Sequence, residues 1–321
     1  MSVPPPSHSP VVGRLAPSPT GLLHVGHARS FVLAWASARA QGGEVRLRLE
    51  DLDGSRVKPG MVEACLEDLR WLGLDWDGAL LVQSERDGVL RAAANELLGR
   101  GLAYPCVCTR REVEAARSAP HAGEEGPAYP GTCRGLYATV EEARAASGRE
   151  PALRVRAPEH AITIHDELHG EVTEDLRETV GDFPITSRDG QVAYQLAVVV
   201  DDAAQGVTEV LRGDDLLAST PRQAWLQELL GLPRPSWIHV PLVTDGAGQR
   251  LAKRHDALAI AAVREAGVAP ERFVAWCARS AGLAVGSSAT PREVTEAFGL
   301  GRLTRSVAVF DEREIDALGE G

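Results

Sequence analysis

Short apolar runs alternate with amphipathic stretches through the first hundred residues, and that order most limits what the chain can become. Val11–Ala16 reads as a buried strand that runs into Pro17-Ser18-Pro19-Thr20-Gly21, a turn-rich loop. From Val25 to Ala40, Ala28, Phe31, Val32, Trp35 and Ala36 recur with helical spacing, and Gly42-Gly43 stops the pattern. Glu44–Glu50 alternates Val45, Leu47 and Leu49 with Arg46 and Arg48, as a strand does. Pro59-Gly60 opens a helix whose apolar stripe is Val62, Cys65, Leu66, Leu69 and Leu72, and another helix is expected over Arg86–Gly101. Strand, helix, strand, helix predicts a parallel sheet wrapped by helices, with any ligand at the carboxyl ends of the strands. The loop Pro17–Gly21 falls in that place.

The rhythm breaks between Ala103 and Gly190, where a cysteine cluster, a Gly/Pro-rich loop and strand-like pieces at Ala152–Val155 and Ile162–His165 suggest an inserted α+β sub-domain. It resumes at Val192. Ala193–Val200 predicts an apolar strand ending in Asp201-Asp202, and Val207–Leu211 another; Pro221–Leu230 predicts a helix and Ile238–Val243 a strand. A loop rich in cations follows, Gln249-Arg250-Leu251-Ala252-Lys253-Arg254. The remainder reads as helical, then ragged from about Ala281, a docking element or a partly disordered end. At 321 residues the chain exceeds one core. The expected division is a flexible leader (1–10), a split Rossmann-like catalytic domain (11–102 and 191–245), the insertion (103–190), and a cationic loop with a short helical C-terminal part (246–321).

Acidic residues outnumber basic ones by 45 to 34, a formal charge of −11, which speaks against a general nucleic-acid binder but leaves room for a local basic face. No apolar run is long enough to cross a membrane, and the polar start does not resemble a secretory signal, so a cytoplasmic monomer with no membrane partner is expected. Five cysteines, an odd number, argue against a disulfide framework. Three of them, Cys106, Cys108 and Cys133, cluster as zinc ligands do, and a structural zinc ion takes four donors. His121 and Tyr129 are the available fourth donors, and ligand chemistry alone favours His121. Cys65 and Cys277 read as core residues.

Two further constellations carry chemistry. His24-Val25-Gly26-His27 places two imidazoles around a glycine where a helix begins. A helix N-terminus offers free N–H groups and positive dipole, the imidazoles add donors, and Gly26 admits a ligand close to the backbone, together a cradle for a triphosphate. The second is the cationic loop: Lys253 and Arg250, mobile after a strand, could neutralise charge on a departing pyrophosphate.

In this order and at these element ends, the pair resembles the HIGH and KMSKS signatures of class I aminoacyl-tRNA synthetases. Arg14-Leu15-Ala16-Pro17-Ser18-Pro19-Thr20-Gly21, Arg48-Leu49-Glu50-Asp51-Leu52-Asp53, Leu72-Gly73-Leu74-Asp75-Trp76 and Leu211-Arg212-Gly213-Asp214-Asp215-Leu216 narrow the resemblance to the glutamyl-tRNA synthetase catalytic domain, from about Val11 to Leu258. The second signature departs from the family: Arg250 stands where a lysine is usual and Ala252 where serine is usual, while Lys253 is kept.

The resemblance implies an α/β, Rossmann-like parallel-sheet catalytic domain with a zinc-bearing insertion. It implies His24 and His27 on the phosphates of ATP with Gly26 beside them, Lys253 and Arg250 on the leaving pyrophosphate, and magnesium accompanying ATP. For L-glutamate it implies Arg14, Leu15, Ala16, Pro17, Ser18, Glu50, Tyr194 and Arg212, with Glu50 on the ammonium and the arginines on the two carboxylates. For zinc it favours Tyr129 over His121, because Tyr-Pro-Cys-x-Cys followed by Tyr-Pro-Gly-x-Cys is similar to the zinc site of the short glutamyl-tRNA synthetase paralogues. Fewer than 70 residues follow Lys253, so no anticodon-binding domain is expected. The short paralogues activate glutamate without tRNA and attach it to the queuosine base of tRNA(Asp), which is the expected function. The alternatives are a truncated synthetase charging a tRNA 3′ end, a nucleotidyltransferase making a small-molecule cofactor, and a tRNA-binding module without catalysis.

Overall fold

A computed structural model describes residues 10–115, 128–249 and 258–319. Residues 1–9 of the expected leader, His121, Arg250 and Lys253 lie outside the described residues.

The opening half follows the predicted order. Strand β1 (Val12–Leu15) leads through the Pro-rich loop to helix α1 (Val25–Ala40), then to β2 (Glu44–Leu49), α2 (Met61–Trp71), β3 (Leu81–Val82) and α3 (Asp87–Gly99). The strands β1, β2 and β3 pair in parallel, in that spatial order. Next come β4 (Ala103–Cys106), α4 (Arg110–Ala115), α5 (Val140–Ser147), β5 (Ala152–Val155), β6 (Ile162–Asp166), β7 (Gly170–Glu174), α6 (Leu176–Thr179) and β8 (Phe183–Pro184). The chain continues with α7 (Tyr194–Ala204), β9 (Glu209–Gly213), α8 (Thr220–Leu230), β10 (Ser236–Val240) and β11 (Val243–Thr244). It ends with α9 (Ile260–Glu265), α10 (Pro270–Ser280), α11 (Pro291–Ala297), β12 (Ala308–Val309) and α12 (Glu312–Gly319).

A second set of strands runs β9, β10, β6, β7, parallel except for the hairpin partner β7. Strand β9 begins beside β1: the Thr208 N–H donates to the Val12 carbonyl at 2.9 Å, and the Val12 N–H to the Thr208 hydroxyl at 2.9 Å. Strand order therefore reverses at β1, with β2 and β3 on one side and β9 and β10 on the other. The crevice at the carboxyl ends of β1 and β9 is the place where open α/β sheets take their ligands. The 103–190 stretch is woven into this scheme rather than appended to it. Its β6 pairs with β10, and its Leu153, Val155, Ile162, Ile164 and Phe183 share a core with α7 and α8.

Two expectations need correcting. Ala193–Val200 is not a strand; it begins helix α7. The run Val198-Val199-Val200 has β-branched character, but Leu196, Ala197, Val198 and Val199 are buried against neighbouring helices, and such burial overrides a modest propensity. The final stretch is not ragged. Thr290 and Glu293 form a reciprocal cap on α11. Phe310 packs edge-on against Trp276, ring centres 4.6 Å apart, inside the core that also holds α1. Cys65 and Cys277 are core residues as expected, and burial pushes the Cys65 thiol up to about 12.

Candidate active site

The first motif caps α1. His24 is extended and its Nδ1 accepts the Gly26 N–H at 3.1 Å. In return the His24 N–H donates to Nδ1 of His27 at 3.3 Å, and the two rings stack with centres 3.6 Å apart. Because each Nδ1 is used as an acceptor, each neutral ring carries its proton on Nε2. Both rings line the strand-end cavity, so the capping that starts the helix also fixes which nitrogen can donate to a ligand. Gly26 is required by this fold-over, since a Cβ there would meet the His24 ring at 3.0 Å.

The cavity encloses ≈460 Å³ and gathers residues from four distant elements. Arg14 comes from β1, Glu50 from the end of β2, Tyr194 from the first turn of α7 and Arg212 from β9. Ala16, Pro17 and Ser18 line it from the loop. Leu15 does not: its side chain is fully buried in the hydrophobic core. Asp215 also lines the cavity, and so do Leu216 and Val243, which no motif marks as lining residues.

The charges around this cavity are held by groups that no local spacing announces. Arg48 reads as an outward strand residue, yet it is 0% exposed. Its Nη1 donates to Asp202 at 2.7 Å and its Nη2 to Glu50 at 3.1 Å. Burial alone would lower its pKa; Asp202 and Glu50 outweigh burial and hold the guanidinium charged. Asp202 also faces Arg14 Nε at 3.6 Å. The Asp201-Asp202 pair anchors arginines. Asp201 takes Arg86 at 2.6 Å and Gln83 at 2.9 Å. On the far wall, Arg212 donates to His239, Thr220 and Gln223. Burial first, then neighbouring Arg14, lowers its pKa. Burial and the Glu50 carboxylate raise the Tyr194 phenol, which keeps its proton.

The cysteine cluster lies apart from this cavity. Sγ atoms of Cys106, Cys108 and Cys133 lie within 4.8 Å of one another, a set that could hold a metal ion. The Tyr129 hydroxyl joins them, 3.3 Å from Cys106 Sγ and 3.5 Å from Cys108 Sγ. It also accepts the Cys133 N–H at 2.9 Å. Tetrahedral zinc with about 2.3 Å bonds to sulfur spaces its sulfurs by roughly 3.8 Å, and the Cys108–Cys133 separation of 3.4 Å is near that. Gly181 allows Tyr129 its place: its φ is +67°, and a Cβ would overlap the Tyr129 carbonyl. Arg154 stacks on the Tyr129 ring at 3.9 Å and donates to Cys106 Sγ at 3.3 Å.

No helix among the described residues is long and apolar enough to cross a membrane. The family model of class I tRNA synthetases (E and Q), catalytic domain, matches residues 10–317. A glutamyl-Q tRNA(Asp) synthetase of Nocardia farcinica is 50% identical over 91% of this chain and 91% of its own length. One from Symbiobacterium thermophilum is 45% identical over 96% of this chain and 98% of its own. The solved glutamate tRNA ligase of Elizabethkingia meningosepticum, in complex with its amino acid, superposes with a TM-score of 0.82 at 25% identity. That match covers 97% of this chain and 69% of the ligase. Fold, cavity and relatives agree: the chain belongs to the class I tRNA synthetases of the E and Q type, as a member of the glutamyl-Q tRNA(Asp) synthetase family of ligases.

Proposed function

We propose that this chain activates L-glutamate with ATP, without help from tRNA, and passes the glutamyl group to the queuosine base in the anticodon loop of tRNA(Asp). The observation that carries the reading is convergence: two imidazoles at a helix mouth, two buried arginines and a carboxylate line one cavity. Glutamate brings one ammonium and two carboxylates, which match one carboxylate and two guanidiniums in sign and number, and the imidazole N–H groups suit the phosphates of ATP.

In this reading Glu50 receives the ammonium, and Arg14 and Arg212 the two carboxylates. The α-carboxylate attacks the α-phosphorus of magnesium-bound ATP, the bond to the pyrophosphate oxygen breaks, and glutamyl-adenylate forms. The nucleophile is already ionised, so the protein's part is placement and charge stabilisation. His24 and His27 donate from Nε2 to the phosphates, with the α1 N-terminus and Gly26 behind them. Lys253 and Arg250 of the cationic loop are assigned to the leaving pyrophosphate. A hydroxyl of the queuosine ring then attacks the mixed anhydride and AMP leaves. All these residues lie on one chain, so a monomer suffices, and a tRNA substrate fits a cytoplasmic location.

One zinc ion fits the donor set Cys106, Cys108, Cys133 and Tyr129, and it would pin the 103–190 stretch rather than act on substrate.

The test is pyrophosphate exchange with purified protein, followed by transfer of labelled glutamate to tRNA(Asp) with and without queuosine. Glutamate-dependent exchange without tRNA, and transfer only to the queuosine-bearing tRNA, are expected. Exchange that requires tRNA would overturn the activation step, and labelling of a tRNA 3′ end would overturn the acceptor.

A further inference from the structure

Arg212 uses most of its donors inside the protein. Its Nε donates to His239 Nε2 at 2.9 Å, and its Nη2 to Thr220 Oγ1 and Gln223 Oε1, each at 2.9 Å. Its Nη1 has no partner among the described residues, although it is buried and Arg212 lines the cavity. A guanidinium cannot accept, so His239 Nε2 must present a lone pair. The imidazole proton then sits on Nδ1, which faces Asp166 Oδ2 at 2.6 Å. Asp166 is fixed in turn: its Oδ1 accepts the N–H groups of Leu168 at 3.0 Å and His169 at 2.8 Å, and its Oδ2 also takes the His239 N–H at 3.1 Å. Asp166 and His239 are both 0% exposed. The three residues lie at the carboxyl-terminal ends of β6, β10 and β9, which are adjacent parallel strands.

We infer that Asp166 and His239 are positioning residues for glutamate: Asp166 sets the tautomer of His239, and His239 orients Arg212 so that its remaining Nη1 meets a substrate carboxylate. The inference rests on the proposed glutamate site. It adds that a strand of the 103–190 stretch, through Asp166, belongs to the selection machinery. An imidazole with the opposite tautomer would set N–H against N–H at Arg212 and turn the fork away. A protonated one would add like charge beside it. Burial, with Arg212 adding to it, keeps His239 neutral down to about pH 4.

Two substitutions at 239 separate positioning from packing. Asparagine carries its amide the same number of bonds from Cβ as Nδ1, so His239→Asn keeps the Asp166 contact and loses the acceptor for Arg212. Glutamine reaches one bond further, as Nε2 does, so His239→Gln restores that acceptor. In glutamate-dependent pyrophosphate exchange, His239→Asn is expected to raise the glutamate KM about 10- to 100-fold. His239→Gln should stay within about threefold of the parent, and kcat and the ATP KM should move little in either. Asp166→Asn is the second arm. With its oxygen kept on the Leu168 and His169 N–H groups, its NH₂ group faces His239, gives up the His239 N–H bond, and drives the imidazole proton to Nε2. Nitrogen-15 spectra should show that switch, together with a raised glutamate KM. Equal KM effects from Asn and Gln at 239, an unchanged KM in Asp166→Asn with the tautomer switched, or parallel rises in the glutamate and ATP KM would each overturn the inference. A parent protein without any glutamate-dependent exchange would instead overturn the proposed function beneath it.

Discussion

The strand-end cavity and the cysteine cluster balance charge in opposite ways. Around the cavity nearly every buried ion has a protein counter-ion or acceptor. Arg48 sits between Asp202 and Glu50, Asp201 holds Arg86, and Asp166 holds His239. These partners come from elements far apart in the chain, so the fold itself assembles the site and keeps it set before any ligand arrives. The cysteine cluster draws its donors from Cys106 to Cys133, one local stretch, and points three sulfurs and a phenol at one spot. Burial, with Cys133 and Cys106 nearby, pushes the Cys108 thiol up to about 12. Such donors become good ligands only when a cation takes the place of their protons. One site is preorganised by folding, and the other would be completed by the proposed zinc ion.

The comparison breaks most readily at Arg48. Arg48→Leu removes the fully buried cation, leaving Asp202 with Arg14 alone and Glu50 without its buried arginine. Breaking a buried pair from one side costs about 3–5 kcal/mol, and urea unfolding should show a loss of that size. A variant within about 1 kcal/mol of the parent would mean that the cavity's ion network is not what holds it. At the other site the ion should matter more than the contacts. Outer-shell changes cost about 10–100-fold in metal affinity, so Cys133→Ser, which removes a ligand, should weaken zinc binding by more than about 100-fold. Metal analysis after dialysis should find about one zinc per chain in the parent and background in the variant. Hydrogen exchange should then rise around β4 and α5 while α1 stays protected. Equal loosening of α1 would erase the distinction between the two sites.

Glu50→Gln sharpens the comparison from inside the cavity. It removes the charge assigned to the substrate ammonium but leaves Arg48 paired with Asp202 at 2.7 Å. The glutamate KM should rise about 10- to 100-fold, the loss expected for a hydrogen bond to a charged group. The ATP KM should change by less than about threefold. A larger effect on ATP than on glutamate would put Glu50 on the wrong ligand.

What could be read from the chain follows the same division. The strand, loop and helix that form the imidazole cap were legible because spacing and capping are local: α1 spans Val25–Ala40, as the periodicity predicts. The cysteine cluster was legible for the same reason. The groups that hold the cavity's charged side chains were not. Arg48 alternates with leucines like any surface strand residue, and only its partner 154 positions away marks it as buried. His239 and Asp166 stand 73 positions apart, and neither has a neighbour that hints at the other. Helix α7 departs from the expected strand because three consecutive valines carry strand propensity, while the burial that overrides it comes from helices elsewhere in the chain. Residues assigned to the ligands left a motif, whereas those that hold them in place left none.

The smallest predicted effect follows from His239. An ordinary histidine takes up a proton near pH 6.5, but the folded protein keeps this one neutral until about 4. Burial is the main cause, with Arg212 and His169 opposing the charge and Asp166 partly favouring it. Between those values the unfolded chain binds more protons than the folded one, so stability rises with pH across the window and falls on acidification. At pH 5.5 the loss relative to pH 7.5 should be about 1 kcal/mol from this residue. His239→Gln has no proton to take up, so its urea midpoint should fall less between those two pH values. Loss of the proposed zinc from the cysteine cluster would also be acid-sensitive, but it would be common to both proteins and cancel in the difference between them. If the parent and the variant lose stability in parallel, His239 is not held neutral, and the tautomer that aims Arg212 has no physical basis.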